Sequence, residues 1–365
     1  LWRMGDIFQL SIELYDTNDK KVVWSDRWQE KWDNLPTIKI NLSDGLLKAL
    51  DTTSKVEKKA ETTNTKAYEL YLKAKHTYDK RTDTHDTETA RKLLRQVIEL
   101  DDTLIAAKVL LGTTCMEMGD YDEAMKIYTP ALEQAEKLGN KAGIGNTLNN
   151  IGLVHSNKGD YDKALDYYGR SLVIQEELGY KRGMGNSLFA IGTVHYYKGD
   201  YDKALDCYGR SLAIREKLGN KHGGIPSNLY TIGVVYYNKG NYEQAVEHLE
   251  KSLSIQKEIG LDKDNLIWPT TYLYLTYKQL GKDYDVNEIH GFIKETENIE
   301  FENIEFELNL RLYQLLDDTS YLETAYNQVQ EKASAMEKEL AEKFLSYPLT
   351  KQIVEEWEKV SKVKN

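Results

Sequence analysis

The sequence predicts a mainly α fold of repeated antiparallel helix pairs, and three observations lead there. Gly119, Gly159, Gly199, Gly240 and Gly281 recur at spacings of 40, 40, 41 and 41 residues. Gly145–Lys181 laid over Gly185–Lys221 gives 26 identities in 37 positions at a shift of 40. Only 5 prolines occur in 365 residues, so long stretches are free to be helical.

Each repeat reads as two helices. In the Gly145 copy, helix A carries Leu148, Ile151, Gly152 and His155 at i, i+3, i+4 and i+7, one apolar stripe of a 3.6-residue period. Gly159-Asp160 then predicts a tight turn: glycine tolerates the left-handed end of helix A, and aspartate caps the start of helix B. Helix B follows with Ala164, Leu165, Tyr168, Leu172 and Ile174, and the unit ends at Leu178-Gly179. Gly152 and Ala164 are small enough to let the two helices approach closely. A weaker copy precedes this one at Leu111-Gly112 and Gly119–Ala124, and another follows at Ile232-Gly233 and Gly240–Ala245.

The shared pattern, a small apolar residue and glycine on helix A, then G-[DN]-Y-[DE]-x-A, resembles the tetratricopeptide motif in its roughly 40-residue variety. The resemblance is strong over 106–260 and weaker over the rest of 67–300. It implies an α-solenoid of antiparallel helix pairs in a right-handed superhelix, whose concave groove, lined mainly by A helices, takes an extended peptide or a partner's helix.

Comparing the copies with one another locates a candidate groove. With Gly152, Gly192 and Gly233 as position 8 of helix A, positions 4, 7, 8 and 11 form the packing face, while 2, 5, 9, 12 and 13 point away from it. Between Gly145–Lys158 and Gly185–Lys198 six residues differ, and four of them fall on the outward set: Asn149/Phe189, Leu153/Thr193, Ser156/Tyr196 and Asn157/Tyr197. Neutral drift on an exposed face favours Lys and Glu. These positions instead hold Asn146, Asn149, Ser156, Asn157, Asn186, Phe189, Tyr196, Tyr197, Tyr230, Tyr237 and Asn238. Asparagine donates and accepts at once, which suits a peptide backbone, and tyrosine buries large area at low entropic cost. These eleven residues are the expected partner-binding groove; the rival reading is a self-association surface.

No chemistry of catalysis, cofactor or metal emerges. His155 and His195 repeat at the period of the array and read as packing residues in place of Tyr236 and Tyr277. Gly143-x-Gly145 and Gly183-x-Gly185 lack both a preceding strand and a completed phosphate-loop motif, and read as flexible leads into helix A. Cys115 and Cys207 form no CxxC or Cys/His pattern, so neither a disulfide framework nor a zinc site is expected. The net charge of −11 argues against nucleic acid as a partner, and no apolar run reaches the ~20 residues that cross a bilayer. Cytoplasmic residence is the expectation.

The two ends do not repeat. Residues 7–15 and 22–28 alternate around the turn Asp16–Lys20, as a β-hairpin does, and a helix is expected over 37–50. The string from Gly5 to Leu50 resembles the tail of a TolB-like α/β domain, of the kind that precedes such arrays in bacterial cyclase, Ser/Thr kinase and transcription-regulator proteins. The chain starts at Leu1 in strand-like sequence and reads as part of a longer signalling protein. Residues 51–66 read as a linker. Helices over 302–316, 320–336 and 349–363 form a C-terminal cap spanning 301–365, which covers the last apolar face of the array. The acidic tract 295–307 reads as a solvated helix face with Ile299, Ile304, Phe306 and Leu308 turned inward.

Overall fold

The five periodic glycines adopt the left-handed conformation, with φ between +66° and +83°, and each ends the first helix of a pair. Only a residue without Cβ enters that region cheaply, so the glycine spacing sets the length of the repeat. The structure, a computed structural model, describes residues 2–4, 7–16, 21–31, 62, 64–219, 224–261, 265–296 and 306–364. The helix expected over 37–50 and most of the linker lie outside the described residues.

The chain divides into two compact units, Leu1–Val154 with Glu177–Gly179, and His155–Glu176 with Tyr180–Asn365. The first holds strands β1 (Trp2–Met4), β2 (Ile7–Asp16) and β3 (Lys21–Lys31). They pair antiparallel in the order β1-β2-β3, with Ile7 opposite Lys31 and a bulge at Leu14/Tyr15. Helices α1 (Thr65–Asp79), α2 (Thr84–Leu100), α3 (Ile105–Glu117) and α4 (Tyr121–Lys137) follow. Most of α5 (Lys141–Asn157) also belongs to this unit. Asn64, Asp83 and Asp120 cap α1, α2 and α4, their side chains accepting from Ala67, Asp86 and Glu123 N–H groups. Ala67, Ala74, Leu94, Val97, Leu104, Ala107 and Leu111 make a core of small and branched residues.

The second unit begins with α6 (Tyr161–Glu177) and continues through two pairs, α7 (Lys181–Lys198) with α8 (Tyr201–Lys217) and α9 (Ile225–Asn238) with α10 (Tyr242–Glu258). Then come α11 (Ile267–Leu280), α12 (Val286–Thr296), α13 (Phe306–Leu316), α14 (Thr319–Ser334), α15 (Lys338–Ser346) and α16 (Pro348–Lys364). Its largest apolar cluster joins α9, α10 and α11 to Leu308, Leu312 and Leu315 of α13.

The glycine at position 8 does what the sequence asks of it. A Cβ on Gly192 would stand 2.8 Å from the Tyr208 ring, one on Gly233 2.7 Å from Leu249, and one on Gly112 2.4 Å from Tyr128. Each pair is therefore held at contact distance by a bulky side chain from helix B filling the missing methyl.

Several local expectations are corrected. Gly143, Gly145, Gly183 and Gly185 lie inside the first turns of α5 and α7 rather than in flexible leads. Space explains Gly183: a Cβ there would meet Tyr180 at 2.6 Å and Gln175 at 2.8 Å. Asp200 makes no side-chain cap to α8, because its carboxylate is taken by His195 Nδ1 at 3.2 Å and Lys203 Nζ at 3.4 Å. A helix missed in the sequence, α15, precedes the break. Tyr347 is extended, at φ −67° and ψ 149°, and Pro348 opens α16, where its lack of an N–H costs nothing.

The C-terminal helices pack onto earlier turns of the same unit. A Cβ on Gly159 would meet Met336 at 2.8 Å and Phe344 at 3.1 Å, and one on Gly199 would meet Pro348 at 2.7 Å. Asp162 bonds Lys198 and Lys343, and those two cations hold its carboxyl below the usual range despite a smaller opposing effect of burial.

Candidate docking cleft

Successive first helices of the second unit, α7, α9 and α11, contribute to a shared cleft of about 490 Å³. From α7 come Phe189, Thr193, Tyr196 and Tyr197; from α9, Ser227, Tyr230 and Thr231. Asn265, Trp268 and Pro269 line it at the start of α11, and Glu307 reaches it from α13. Glu307 brings the single carboxyl group, and no lysine or arginine is among these lining residues.

Beside this cleft, Glu307 and Arg311 are buried to 4% and 3% exposure. They stand one turn apart on α13, so both side chains point to one face. The Tyr196 and Tyr272 hydroxyls both donate to Glu307 Oε1. Arg311 Nε donates to Tyr272 Oη at 2.9 Å, Nη2 to Asn238 Oδ1 at 3.1 Å and Nη1 to Gln314 Oε1 at 3.0 Å. The guanidinium also lies 5.4 Å from the Tyr272 ring centroid and 5.8 Å from that of Tyr237. A buried ion costs several kcal/mol unless charge and hydrogen bonds compensate it, and here every guanidinium nitrogen has an acceptor. Burial first, and the Glu307 charge second, push the Tyr196 phenol far up. Burial pulls the Arg311 guanidinium downward, but the surrounding Tyr272, Tyr196 and Glu307 oxygens outweigh it and hold it firmly charged.

The eleven groove residues expected from the sequence fall into several places. Phe189, Tyr196, Tyr197 and Tyr230 come together in the cleft. Tyr237 and Asn238 lie beside it at Arg311, and the Asn238 amide also donates to Val234 O at 2.8 Å and Tyr196 Oη at 3.3 Å. Asn186 is exposed and accepts from Arg215 Nη2 at 3.2 Å. Ser156 and Asn157 sit half-buried in the last turn of α5 and do not line the cleft. Asn146 and Asn149 belong to the first unit; Asn146 lines a separate space of about 280 Å³ there with Tyr71, Ile105, Val109 and Asn140, while Asn149 is half-buried.

The rings are packed against one another. Tyr230 and Tyr237 meet Tyr272 edge-on at 6.0 and 5.5 Å between centroids. Tyr197 stacks on Tyr161 at 5.8 Å, and Phe189 tilts onto Tyr208 at 5.3 Å with Arg215 5.1 Å over its ring. Such contacts add about 0.5–1.5 kcal/mol per pair beyond buried area, so these walls keep their shape.

Sequence reasoning missed Glu307, Arg311, Tyr272, Trp268 and Gln256. The solvated-face reading of 295–307 is corrected at Glu307, which points inward; residues 297–305 lie outside the described ones. The available signal was Phe306–Leu316 itself, FELNLRLYQLL, whose two charges one turn apart sit among leucines on all sides.

Gln256 belongs to a polar ladder repeated along the second helices. Ser171, Gln175 and Ser187 form a bonded triad, with Gln175 Nε2 donating to Ser171 Oγ at 2.9 Å and Ser187 Oγ to Gln175 Oε1 at 3.1 Å. At the next step Ser211, Arg215 and Asn228 stand in the same places, and Ser211 Oγ bonds Asn228 Oδ1 at 3.4 Å. At the third, Gln256 Nε2 still donates to Ser252 Oγ at 3.4 Å, but Pro269 takes the place of Ser187 and Asn228, and Gln256 Oε1 and the neighbouring Thr270 Oγ1 are buried with no hydrogen-bond partner among the described residues. Gln256 lines the cleft.

His155 and His195 hold aspartates at the turn, His155 Nδ1 lying 3.6 Å from Asp160 and stacked on Tyr167 at 5.4 Å. Burial keeps the His155 imidazole below its usual range, against the pull of Asp160. No group of three metal-ligating side chains occurs among the described residues, and no described helix is long and apolar enough to cross a membrane.

The family model for the tetratricopeptide repeat matches residues 102–177, 143–217 and 183–258, so the chain carries tetratricopeptide repeats over that stretch. The match starts beyond residues 1–50 and lends no support to their TolB-like resemblance. Among solved structures, the apo form of RapI is similar at 15% identity, covering 80% of this chain and 99% of that one with a TM-score of 0.54. A Rap protein complexed with Competence and Sporulation Factor matches at 14% identity, 88% and 79% coverage and a TM-score of 0.53. The PH0952 signal transduction ATPase of Pyrococcus horikoshii, with its tetratricopeptide repeat sensor, matches at 17% identity over 86% of this chain and 48% of its own, with a TM-score of 0.53. At these identities the likeness is one of fold. No curated protein matches the chain.

Proposed function

We infer that this chain is a non-catalytic docking module, taking a peptide or a segment of a protein partner in the cleft of its second unit. The supporting observation is that three successive A helices keep leucine, isoleucine and glycine at packing positions 4, 7 and 8 while their outward position 5 changes from Asn149 to Phe189 to Tyr230, and the last two line one cleft with Trp268. Rigid aromatic walls beside a few polar groups are what peptide recognition uses. A protein of the same fold, the Rap protein, is solved in complex with a factor.

In this reading 67–300 is the docking array, 301–365 its C-terminal cover, and 1–50 the end of a preceding TolB-like domain joined through 51–66. The chain then serves as the regulatory part of a cytoplasmic bacterial signalling protein, such as a cyclase, kinase or transcription regulator. Self-association is the second reading, favoured by Val173 and Leu218, which stand 55% and 45% exposed on the second helices.

Selection of a random 12-residue display library on the full chain separates these readings. Docking requires peptides that bind the wild type and bind Tyr230→Ala at least about tenfold more weakly, the effect of losing a ring worth over 1 kcal/mol. Failure to enrich any peptide, with a dimer in sedimentation equilibrium, leaves self-association instead.

A further inference from the structure

We propose that the cleft receives a side-chain carboxamide of the partner peptide, an asparagine or glutamine, whose N–H donates to Gln256 Oε1. The inference rests on the docking reading and specifies the chemistry of that same site.

The charges of the cleft exclude an ionic occupant. Its one carboxyl group, Glu307, already accepts from the Tyr196 and Tyr272 hydroxyls and has the buried Arg311 as its counter-charge. No lysine or arginine lines the cleft. A cation or an anion would lose its hydration there and find no unbalanced charge in exchange.

Hydrogen bonding then asks for a neutral donor. Several lining hydroxyls spend their protons inside the protein: Tyr208 on Thr193 Oγ1 at 3.1 Å, Thr193 on Phe189 O at 3.1 Å and Thr231 on Ser227 O at 3.1 Å. Ser252 Oγ donates to Pro226 O at 2.8 Å, so toward Gln256 it can only accept. That fixes the Gln256 amide, with Nε2 turned to Ser252 and Oε1 turned away from it. At the first step of the ladder the same oxygen, on Gln175, is served by the Ser187 hydroxyl. Pro269, in the place of Ser187, has neither a hydroxyl nor an N–H, and Gln256 Oε1 is left without a donor. Gln256 is 7% exposed and Pro269 is buried, and both line the cleft. The Nε2 bond to Ser252, at 3.4 Å, is at the long end of the range, so a small swing of the amide brings Oε1 to a donor in the cleft.

Reach and precedent favour a carboxamide among neutral donors. A serine or threonine hydroxyl sits directly on Cβ, whereas the amides of asparagine and glutamine stand further out and can meet a buried oxygen while the peptide backbone stays at the mouth. A carboxamide also brings two N–H donors and an acceptor, and the exposed Asn265 of the lining can donate to that acceptor. The chain itself uses this group at the second step of the ladder. There Asn228, at the position of Pro269, donates from Nδ2 to Tyr208 O at 2.9 Å and accepts at Oδ1 from Ser211 at 3.4 Å. The partner's carboxamide takes the part that Pro269 cannot play.

The test uses the 12-residue display library on the full chain, followed by calorimetry with variants of the peptide and of the chain. The proposal expects enriched peptides to share an asparagine or glutamine. Its replacement by aspartate or glutamate, of the same shape without the N–H, should weaken binding at least about tenfold. Two chain variants then isolate the acceptor. Pro269→Ser restores a hydroxyl where Ser187 stands at the first step and gives Gln256 Oε1 a donor of its own. It should bind the peptides at least about fivefold more weakly than Pro269→Ala, which lacks only that hydroxyl. Thermal melting checks that both fold, and the peptide arm needs no chain variant. Enriched peptides without a carboxamide, peptides indifferent to its replacement, or equal affinity of the two chain variants overturn the proposal while leaving docking intact. Failure to enrich any peptide overturns both.

Discussion

Glu307 and Arg311, one turn apart on α13, meet through the Tyr272 hydroxyl, which donates to the carboxylate and accepts from the guanidinium at 2.9 Å. Their side chains are 4% and 3% exposed, so the pair is held away from water by α7, α9 and α11, the helices that form the cleft. The last part of the chain thus determines the shape of the surface offered by the repeats.

Removing one partner strands the other. Arg311→Met leaves a buried carboxylate without its counter-charge and should cost about 3–5 kcal/mol. The Glu307→Gln/Arg311→Met double variant should cost clearly less than the two single changes added, because the two residues share Tyr272. Urea denaturation of the four proteins checks both statements.

Two glycines within the α7–α8 pair should respond with opposite signs. Gly192→Ala places a methyl 2.8 Å from the Tyr208 ring and 3.3 Å from the Ala204 carbonyl oxygen, and overpacking of that kind costs about 1–3 kcal/mol. Gly209→Ala, in the middle of α8 with nothing within 4 Å of the new methyl, should stabilise by about 0.5–1 kcal/mol through helix propensity. Thermal melting of each variant reads the sign directly.

The turn glycines offer a test of the C-terminal packing. Gly159 and Gly240 share φ values of +76° and +77°, so alanine imposes the same left-handed strain of about 1–2 kcal/mol at either. At Gly240 nothing else is near, whereas at Gly159 the methyl meets Met336 and Phe344. Gly159→Ala should lower the melting temperature more than Gly240→Ala; equal losses would show that α14 and α15 do not rest on that turn.

Alkali should destabilise the fold as pH rises above about 10. Burial pushes the Tyr196, Tyr208 and Tyr272 phenols up, and burial with a Glu250 bond takes Tyr277 to about 12. A tyrosine whose folded value lies above its unfolded value near 10 contributes stability that is complete below pH ~10 and is lost as pH rises toward the folded value. Absorbance of tyrosinate at 295 nm should therefore rise in two stages, exposed phenols first and the buried ones together with loss of helix.

The repeat was legible because glycine has no substitute where φ is positive or where a helix must touch its neighbour; Gly112, Gly192 and Gly233 mark the pairing in the sequence itself. Phe189, Tyr196, Tyr197 and Tyr230 were legible as a set because near-identical copies differ there. Glu307 and Arg311 were not, since an acidic tract reads as solvated until a distant helix supplies Tyr196, Tyr272 and Asn238 as partners. Asn146 shows the opposite limit: repeat position relates it to Asn186, yet it lines a different space.

The most direct measurement of docking is titration calorimetry of the full chain with a selected peptide, comparing wild type and Trp268→Ala after both are shown to melt cooperatively. Trp268 lines the cleft and also packs against the apolar cluster of the second unit, hence the check on melting. Binding in the cleft requires a loss of about 2 kcal/mol or more, roughly thirtyfold in Kd; affinities within twofold of each other would place the ligand elsewhere and contradict the account.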